Sequence, residues 1–380
     1  MLSAMDRPVD EVRGGTGRAA TFLELFFDLV YVFAITQVVG LIHADPTLKG
    51  LAKGALLLLV MWWTWSTYTW AINWTGTASV SIQLFLLAAM GTTMVMAIAV
   101  PEAFGEQAAL FGTTLFVARI LGAGLYYTAS KDFPNQRAAL MTFFPISLLA
   151  AVLFLVGGFL EGNWILGFIV GGVAVDLIGA INAGRGAWAV DASHFAERNG
   201  LFIIIALGES VVGLGFAASR APIDLPHLTA LVVAFVGVAA LWWAYFDQAA
   251  PYAEERMAEL TGQARGRFAR DFYTFGLFPL IVGIVYFAVG LEEVVAHPDE
   301  PLSMVKRFAL GAGVALVLLG IAAGTWRGNR LLRGEMMLAA AILLALAWIG
   351  LPISGLTFAL LVVGVLLVTL IVESTTPRVA

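Results

Sequence analysis

The chain has 380 residues, of which 60% are hydrophobic and only 12% are charged, against the roughly 25% of charged residues in a typical soluble domain. It contains no cysteine and only four histidines, so disulfides and cysteine nucleophiles are excluded, and neither a metal nor another cofactor is expected. A formal net charge of -5 gives no basic surface of the kind that nucleic acid requires. The composition therefore predicts an all-α membrane protein that has the lipid bilayer as a partner.

Apolar segments long enough to cross a bilayer recur along the whole chain and predict about twelve transmembrane helices. Cytoplasmic tails are expected at residues 1–20 and 375–380. The last two spans are separated at Gly350-Leu351-Pro352, because residues 336–372 carry no charge and are too many for one span. In chain order, the predicted spans are 22–42, 51–72, 80–100, 108–129, 138–159, 163–183, 197–217, 228–246, 272–291, 307–325, 336–350 and 353–372.

The distribution of Lys and Arg predicts the orientation of these spans. If the N-terminus lies inside, fifteen of the 21 basic residues fall in inside segments and five fall in outside segments. The positive-inside rule then places both termini in the cytoplasm, and we expect a multi-pass protein of the bacterial cytoplasmic (inner) membrane.

Two segments of the chain indicate an internal repeat. Residues 21–41 and 194–214 share six identities when they are aligned without gaps, including Glu24 with Glu197 and a Val-Val-Gly-Leu tetrad. This predicts two six-span halves, 21–184 and 185–374, with chance similarity from biased composition as the alternative. Because each half has an even number of spans, both copies enter the membrane in the same direction, which makes the repeats parallel.

Charged residues inside predicted spans need an explanation, since each costs about 2.5 to 3.5 kcal/mol at mid-bilayer. Glu24 and Asp28 lie one helical turn apart in the first span, on one face with Tyr31. They are expected either to line a site or to reach interfacial water. Arg119 lies midway along the fourth span and is expected to pair with Asp176 or Glu209, either functionally or to fix helix packing.

Asp176 and Glu209 are the candidate proton or cation carriers. A glycine lies near each on its helix, Gly172 and Gly213, so each face is narrow and is expected to contact protein rather than lipid. For Asp176 a helix–helix hydrogen bond is the alternative. Glu209 is the leading candidate, because Thr36 occupies the equivalent position of the first half.

Three charged or titratable residues lie at the start of the seventh span, and one follows the eighth. His194, Glu197 and Arg198 are expected at a cytoplasmic entrance, where a histidine suits proton exchange and an interfacial cap is the alternative. Asp247 is a further candidate at the end of the eighth span.

Aromatic runs occupy residues 61–70 and 241–246. An aromatic belt at the membrane interface is the ordinary explanation. The alternative is an aromatic-walled pocket for an amphipathic or cationic ligand, with Trp63, Trp70 and Trp243 as its candidate residues.

The segments TFLELFFDLVYVFAITQV (21–38) and HFAERNGLFIIIALGES (194–210) resemble the signature segments of the bacterial low-temperature-requirement A (LtrA) family. Residues 24–30 match the family pattern ELFFDLV, residues 194–210 match HxxERxGLxxIIxLGES, and the resemblance extends over nearly the whole chain. It implies a polytopic inner-membrane protein associated by name with growth in the cold. It implies no particular substrate, cofactor or reaction.

The leading functional hypothesis is a secondary transporter of an unidentified small molecule, with proton coupling as an option and Arg119 as the switchable partner of Asp176 and Glu209. No catalytic residue is assigned. One alternative is a membrane-embedded enzyme acting on a lipid or isoprenoid through Glu24, Asp28 and Asp176. The other is a structural, sensory or stress-related membrane protein in which the polar residues hold helices together.

Overall fold

The computed structural model describes residues 19–73, 75–183, 190–329 and 332–375, and over these ranges the chain is helical, without a β-strand. The predicted tails at 1–20 and 375–380 lie almost entirely outside the described residues. Helices are the expected structure, because a backbone in hydrocarbon must satisfy its own hydrogen bonds. The α-helices are α1 Phe22–Ala44, α2 Leu48–Asn73, α3 Val80–Ile98, α4 Ala108–Ala129, α5 Pro134–Gly158, α6 Asn163–Ala183, α7 Ala192–Arg220, α8 Leu225–Trp243, α9 Ala250–Glu259, α10 Gly262–Phe268, α11 Leu277–Ala296, α12 Met304–Asn329, α13 Gly334–Ile349 and α14 Gly355–Thr375.

Eleven helical segments of the described chain are long and apolar enough to cross a membrane. The prediction of a helical protein with many spans is therefore confirmed, whereas the count of twelve is not, because α13 has only 16 residues. The predicted break before α14 is present. Helix α13 ends at Ile349, and Gly350 follows with a φ of 66°, a left-handed conformation that favours glycine.

Two segments of π-helix interrupt the longest helices. Ala244–Ala249 joins α8 to α9, and Ala269–Gly276 joins α10 to α11. Both helices extend beyond the predicted spans 228–246 and 272–291, because charged residues continue the helix without adding to the apolar pattern. Short π-helical insertions are rare and are frequent at functional sites.

The chain forms two compact units. Unit 1 contains the residues up to Val38, Leu56–Asn199 and Glu254–Thr274, and unit 2 contains Val39–Ala55, Gly200–Ala253 and the residues from Phe275 onward. Each unit includes parts of both predicted repeats. The repeat boundaries at 184 and 185 stay a prediction.

Within unit 1, helices α3 to α6 pack in chain order through small residues. A Cβ atom added to Gly112 of α4 would lie 2.6 Å from the carbonyl oxygen of Phe154, and one added to Gly158 of α5 would lie 2.6 Å from that of Ala108. Only glycine allows the two backbones to approach this closely. This contact fixes α5 against α4, the helix that carries Arg119.

Within unit 2, α11 is almost completely buried and packs against α12. Its contact with α12 also depends on glycine, since a Cβ atom on Gly313 would lie 2.6 Å from the backbone nitrogen of Phe287. The hydroxyl of Tyr286 donates a 2.6 Å hydrogen bond to the carbonyl oxygen of Leu51. Unit 2 therefore has a tightly packed helical core of its own.

Candidate ligand-binding site

Glu24 combines a local role at the start of α1 with a contact to a distant helix. Its backbone N–H donates to Oγ1 of Thr21, and its Oε2 accepts from the backbone N–H of Thr21 at 2.6 Å, which is the reciprocal arrangement of a capping box. Its second oxygen, Oε1, lies 3.1 Å from Nε2 of His194. The carboxylate is fully buried and accepts hydrogen bonds on both oxygens.

Three contacts assign the protons of His194. The backbone N–H of Asp191 donates to Oδ1 of Asn73, which orients the amide so that its Nδ2 faces Nδ1 of His194 at 3.1 Å. The amide nitrogen can only donate, so Nδ1 of the imidazole accepts. The proton of a neutral His194 is therefore on Nε2, where it is donated to Glu24.

Asp28 accepts three hydrogen bonds from two side chains. Nη1 and Nη2 of Arg198 contact its two oxygens at 2.6 and 2.8 Å, and Nε1 of Trp65 donates to Oδ1 at 2.8 Å. The guanidinium also lies 5.7 Å from the centre of the Trp65 ring. This fork-to-fork geometry is the strongest form of arginine–carboxylate contact.

We call Glu24, Asp28, His194 and Arg198 the acid–base ladder. Glu24 and its partner His194 are separated in sequence by as many residues as Asp28 and its partner Arg198. The helices α1 and α7 therefore run in the same direction where the ladder connects them. The ladder corrects two expectations. Glu24 and Asp28 each have a separate basic partner instead of reaching interfacial water, and His194 and Arg198 are buried instead of lining an entrance. Burial of such groups requires partners, and the two acids supply them.

Arg119 of α4 pairs with Asp176 of α6, as one of the two partners predicted from depth. Nη2 of the arginine donates to Oδ2 of the aspartate at 2.7 Å, and both side chains are buried. Nε and Nη1 of Arg119 have no hydrogen-bond partner among the described residues. Buried donors of this kind are rare and costly, and they are able to bind a further acceptor.

Tryptophans of α2 connect these features inside unit 1. Trp62 stacks on Trp65, with ring centres 4.9 Å apart, and Trp62 and Trp70 donate to the carbonyl oxygen and the hydroxyl of Thr274, at 2.8 and 3.0 Å. Trp63 borders the same narrow crevice as Asp176. An interfacial belt is therefore the wrong interpretation for Trp62, Trp63 and Trp65, which are buried and packed against protein.

A pocket of about 90 Å³ lies beside this tryptophan run in unit 1. We call it the aromatic pocket. Its polar groups include Arg270 and the hydroxyls of four side chains, and Arg270 and Thr274 come from the π-helical segment Ala269–Gly276. The complete lining is Trp63, Ser66, Thr67, Trp70, Tyr126, Leu140, Phe143, Ala180, Gly266, Arg270 and Thr274.

The aromatic pocket lies at one end of unit 1. Its lining comes from the C-terminal parts of α2, α4 and α6 and from the first half of α5. The rest comes from α10 and from the π-helical segment that follows it. Glu24 and His194, near the starts of α1 and α7, belong to the same predicted side of the membrane. By the positive-inside prediction this side is cytoplasmic.

The other candidate residues have different surroundings. Glu209 is buried, in the part of α7 that belongs to unit 2. Asp247 is exposed and Trp243 is half-exposed, and both also belong to unit 2. Glu197 is exposed and accepts a 3.0 Å hydrogen bond from the backbone N–H of Ala20, so it stabilises the approach to α1. Tyr31 is buried and packs its ring 5.3 Å from that of Phe27.

The sequence identifies the four ladder residues as candidates but not which of them pair. The histidine and arginine of the ladder are four residues apart, as are its two acids, and this matched spacing is a signal compatible with the pairing that does not by itself place α1 beside α7. Asn73, Arg270 and Thr274 gave no comparable signal, because their roles depend on helices that are distant in sequence. In unit 2, a contact of 3.1 Å between His43 Nε2 and Glu292 Oε2 was also not anticipated.

The helices, the buried charges and the apolar exterior define a multi-pass helical membrane protein. Residues 19–372 match the family model described as bacterial low temperature requirement A protein (LtrA), and the chain belongs to this family. A curated protein of Rhizobium meliloti (strain 1021) that is named as uncharacterized is 33% identical over 298 residues, which cover 74% of this chain and 71% of the relative. No solved structure matches the chain.

Proposed function

We propose that this protein is a proton-coupled secondary transporter of a small molecule. The observation that carries the proposal is the buried Arg119–Asp176 pair, in which two N–H groups of the arginine have no acceptor among the described residues. Trp63 borders the crevice at Asp176 and also lines the aromatic pocket. The ion pair and the pocket are thus adjacent parts of one site in unit 1.

Proton coupling follows from the electrostatics of such a pair. While Asp176 is ionised, its charge compensates Arg119 in a region from which water is largely excluded. A proton on Asp176 removes that compensation, and the positive charge of Arg119 then favours an anionic ligand in the adjacent aromatic pocket. Alternate neutralisation by a carboxylate and by a ligand therefore links ligand binding to proton uptake, and ligand release to proton release. Glu209, buried in unit 2, is the second proposed carrier.

The proposed architecture has twelve spans in two parallel six-span halves, with both termini in the cytoplasm of a bacterium and the protein in its inner membrane. The parallel course of α1 and α7 at the ladder supports this arrangement, since equivalent first spans of parallel repeats enter the membrane in one direction. The excess of basic residues on one side supports the orientation. The shorter helix α13 takes the place of the eleventh span.

The enzyme hypothesis receives less support from the side-chain contacts. Asp28 and Asp176, two of its three acids, are each neutralised by an arginine, and Glu24 accepts from His194 and from the backbone of Thr21. Such pairing favours buried electrostatic roles over groups that are available for acid–base chemistry.

The experiment uses purified protein in proteoliposomes that contain a pH-sensitive dye, with a panel of small metabolites added outside. We expect at least one solute to produce proton movement with the natural sequence. Asp176→Asn should abolish it, whereas Glu197→Gln, at an exposed carboxylate, should retain it. Because Asp176→Asn leaves Arg119 uncompensated, the variant Arg119→Gln with Asp176→Asn is included: it should fold stably and also lack the signal. Solute-dependent proton movement in this double variant would contradict the proposal.

A further inference from the structure

The walls of the aromatic pocket indicate the shape of its ligand. Four of its lining side chains are aromatic, Trp63, Trp70, Tyr126 and Phe143, and most of the remaining surface is apolar. Aromatic walls favour a flat apolar group, which they contact by offset stacking or edge-to-face packing. An engineered cavity of about 150 Å³ binds benzene, so a pocket of about 90 Å³ takes no more than one ring.

The polar lining indicates the charge of the ligand. Arg270 is the charged residue of the lining, and its ion-pair partner Asp271, at 2.6 Å, is not part of the lining. Nη1 of Arg270 also donates a 3.3 Å hydrogen bond to the carbonyl oxygen of Ala180, another lining residue, and this contact holds the guanidinium at the pocket. Arg267 and Arg265 lie three and five residues before Arg270 and add positive charge to this segment of unit 1.

Hydroxyl groups of the lining lie next to its aromatic side chains: Ser66 and Thr67 lie between Trp63 and Trp70 on α2, and Thr274 is four residues after Arg270. Thr274 accepts a hydrogen bond from Trp70 and lies 3.5 Å from the hydroxyl of Ser66. The π-helical segment brings Arg270 and Thr274 into the same pocket. A guanidinium with nearby hydroxyls is a suitable environment for a planar oxyanion such as a carboxylate.

We propose that the aromatic pocket binds a small aryl monoanion, with its single ring between the aromatic side chains and its carboxylate or sulfonate group at Arg270. This assignment gives the substrate class of the proposed transporter, and its role in transport rests on that proposal. The binding itself is independent of transport. A lipid acyl chain, a neutral aromatic compound and a small aliphatic acid are the competing ligands.

Binding is measured by calorimetry on the full chain in dodecyl maltoside, a detergent without charge, with benzoate as the probe. Benzyl alcohol has the same ring without the charge, acetate has the charge without the ring, and laurate represents an acyl chain. We expect saturable binding of benzoate and at least about tenfold weaker binding of the other three, since one charged hydrogen-bonded contact corresponds to that factor or more.

Two variants, Arg270→Gln and Ala180→Leu, locate the binding site, and a third, Arg267→Gln, is the matched control. Arg270→Gln should weaken benzoate binding at least about tenfold, whereas Arg267→Gln, at an exposed arginine three residues earlier, should leave it within about twofold. Ala180→Leu adds a larger apolar side chain to the lining and should abolish binding while Arg270 is retained. Thermal melting in the same detergent identifies a variant that fails to fold. If Arg270→Gln does not fold, Ala180→Leu provides the test.

Four results would overturn the assignment: no saturable benzoate binding, equal binding of benzyl alcohol, tighter binding of laurate, or unchanged binding in both Arg270→Gln and Ala180→Leu. The two proposals fail separately. Benzoate binding without any solute-dependent proton movement would support the proposed ligand class and contradict the proposed transport. Proton movement with a different solute, and no benzoate binding, would support the proposed transport and contradict the proposed ligand class.

Discussion

Removal of Arg198 gives the sharpest test of the acid–base ladder. Its side chain and that of Asp28 are 0% and 2% exposed, and their two contacts measure 2.6 and 2.8 Å. Removing one partner of a buried ion pair costs about 3 to 5 kcal/mol, because the remaining charge is uncompensated. Arg198→Met should therefore lower the free energy of unfolding by about 3 to 5 kcal/mol, and Asp28→Leu should have a similar effect.

The variant with both Asp28→Leu and Arg198→Met should be less destabilised than either single variant. A buried ion pair replaced by apolar side chains of similar volume is often neutral, so the remaining cost comes from Trp65, whose indole loses its carboxylate acceptor. An unsatisfied buried donor costs about 1 to 3 kcal/mol, and we expect the double variant to be destabilised by this amount.

The measurement is unfolding by sodium dodecyl sulfate in mixed micelles, followed by tryptophan fluorescence. The matched control is Arg256→Met, because Arg256 forms a pair of equal length, 2.6 Å, with Glu259, but the two side chains are 36% and 56% exposed. An exposed pair contributes about 0 to 1 kcal/mol. If Arg198→Met were no more destabilising than Arg256→Met, the reasoning on the ladder would be refuted.

Two further predictions concern hydrogen bonding and helix packing. Trp65→Phe removes the indole donor to Asp28 and should cost about 1.5 to 3 kcal/mol in the same unfolding assay, the range for a hydrogen bond to a charged group; a loss below 0.5 kcal/mol would count against that bond. Gly313→Ala places a Cβ atom 2.6 Å from the backbone nitrogen of Phe287 and should cost about 1 to 3 kcal/mol. Gly364→Ala, with no atom within 4 Å, should be neutral or stabilising by up to about 1 kcal/mol, and equal effects at the two glycines would contradict the packing.

The class of the fold could be predicted from the sequence because hydrocarbon imposes one simple requirement on a long apolar chain. The break at Gly350 was predictable for a local reason, since glycine and proline interrupt helices wherever they occur. The helical extensions to Glu259 and from Gly262 were not predictable from hydropathy, because their charged residues resemble a loop in an apolar scan.

The Arg119–Asp176 pair could be predicted as one of two alternatives, because depth in the membrane limits the partners of a buried arginine. The pairing in the acid–base ladder could not be predicted. The sequence places His194 and Arg198 at the start of a span, where an exposed position is the ordinary expectation, and only the proximity of α1 to α7 identifies their partners. The aromatic pocket depends even more on tertiary contacts, since its lining comes from five regions of the chain.

The most direct test of proton-coupled transport is the uptake of radiolabelled benzenesulfonate into proteoliposomes. This probe belongs to the proposed ligand class and stays ionised, so it does not cross the bilayer as a neutral acid. We predict protein-dependent accumulation when the outside is more acidic, loss of accumulation when the gradient is collapsed, and loss in the variant with both Arg119→Gln and Asp176→Asn. Absence of protein-dependent uptake, or equal accumulation in the double variant, would contradict a coupling role for the Arg119–Asp176 pair.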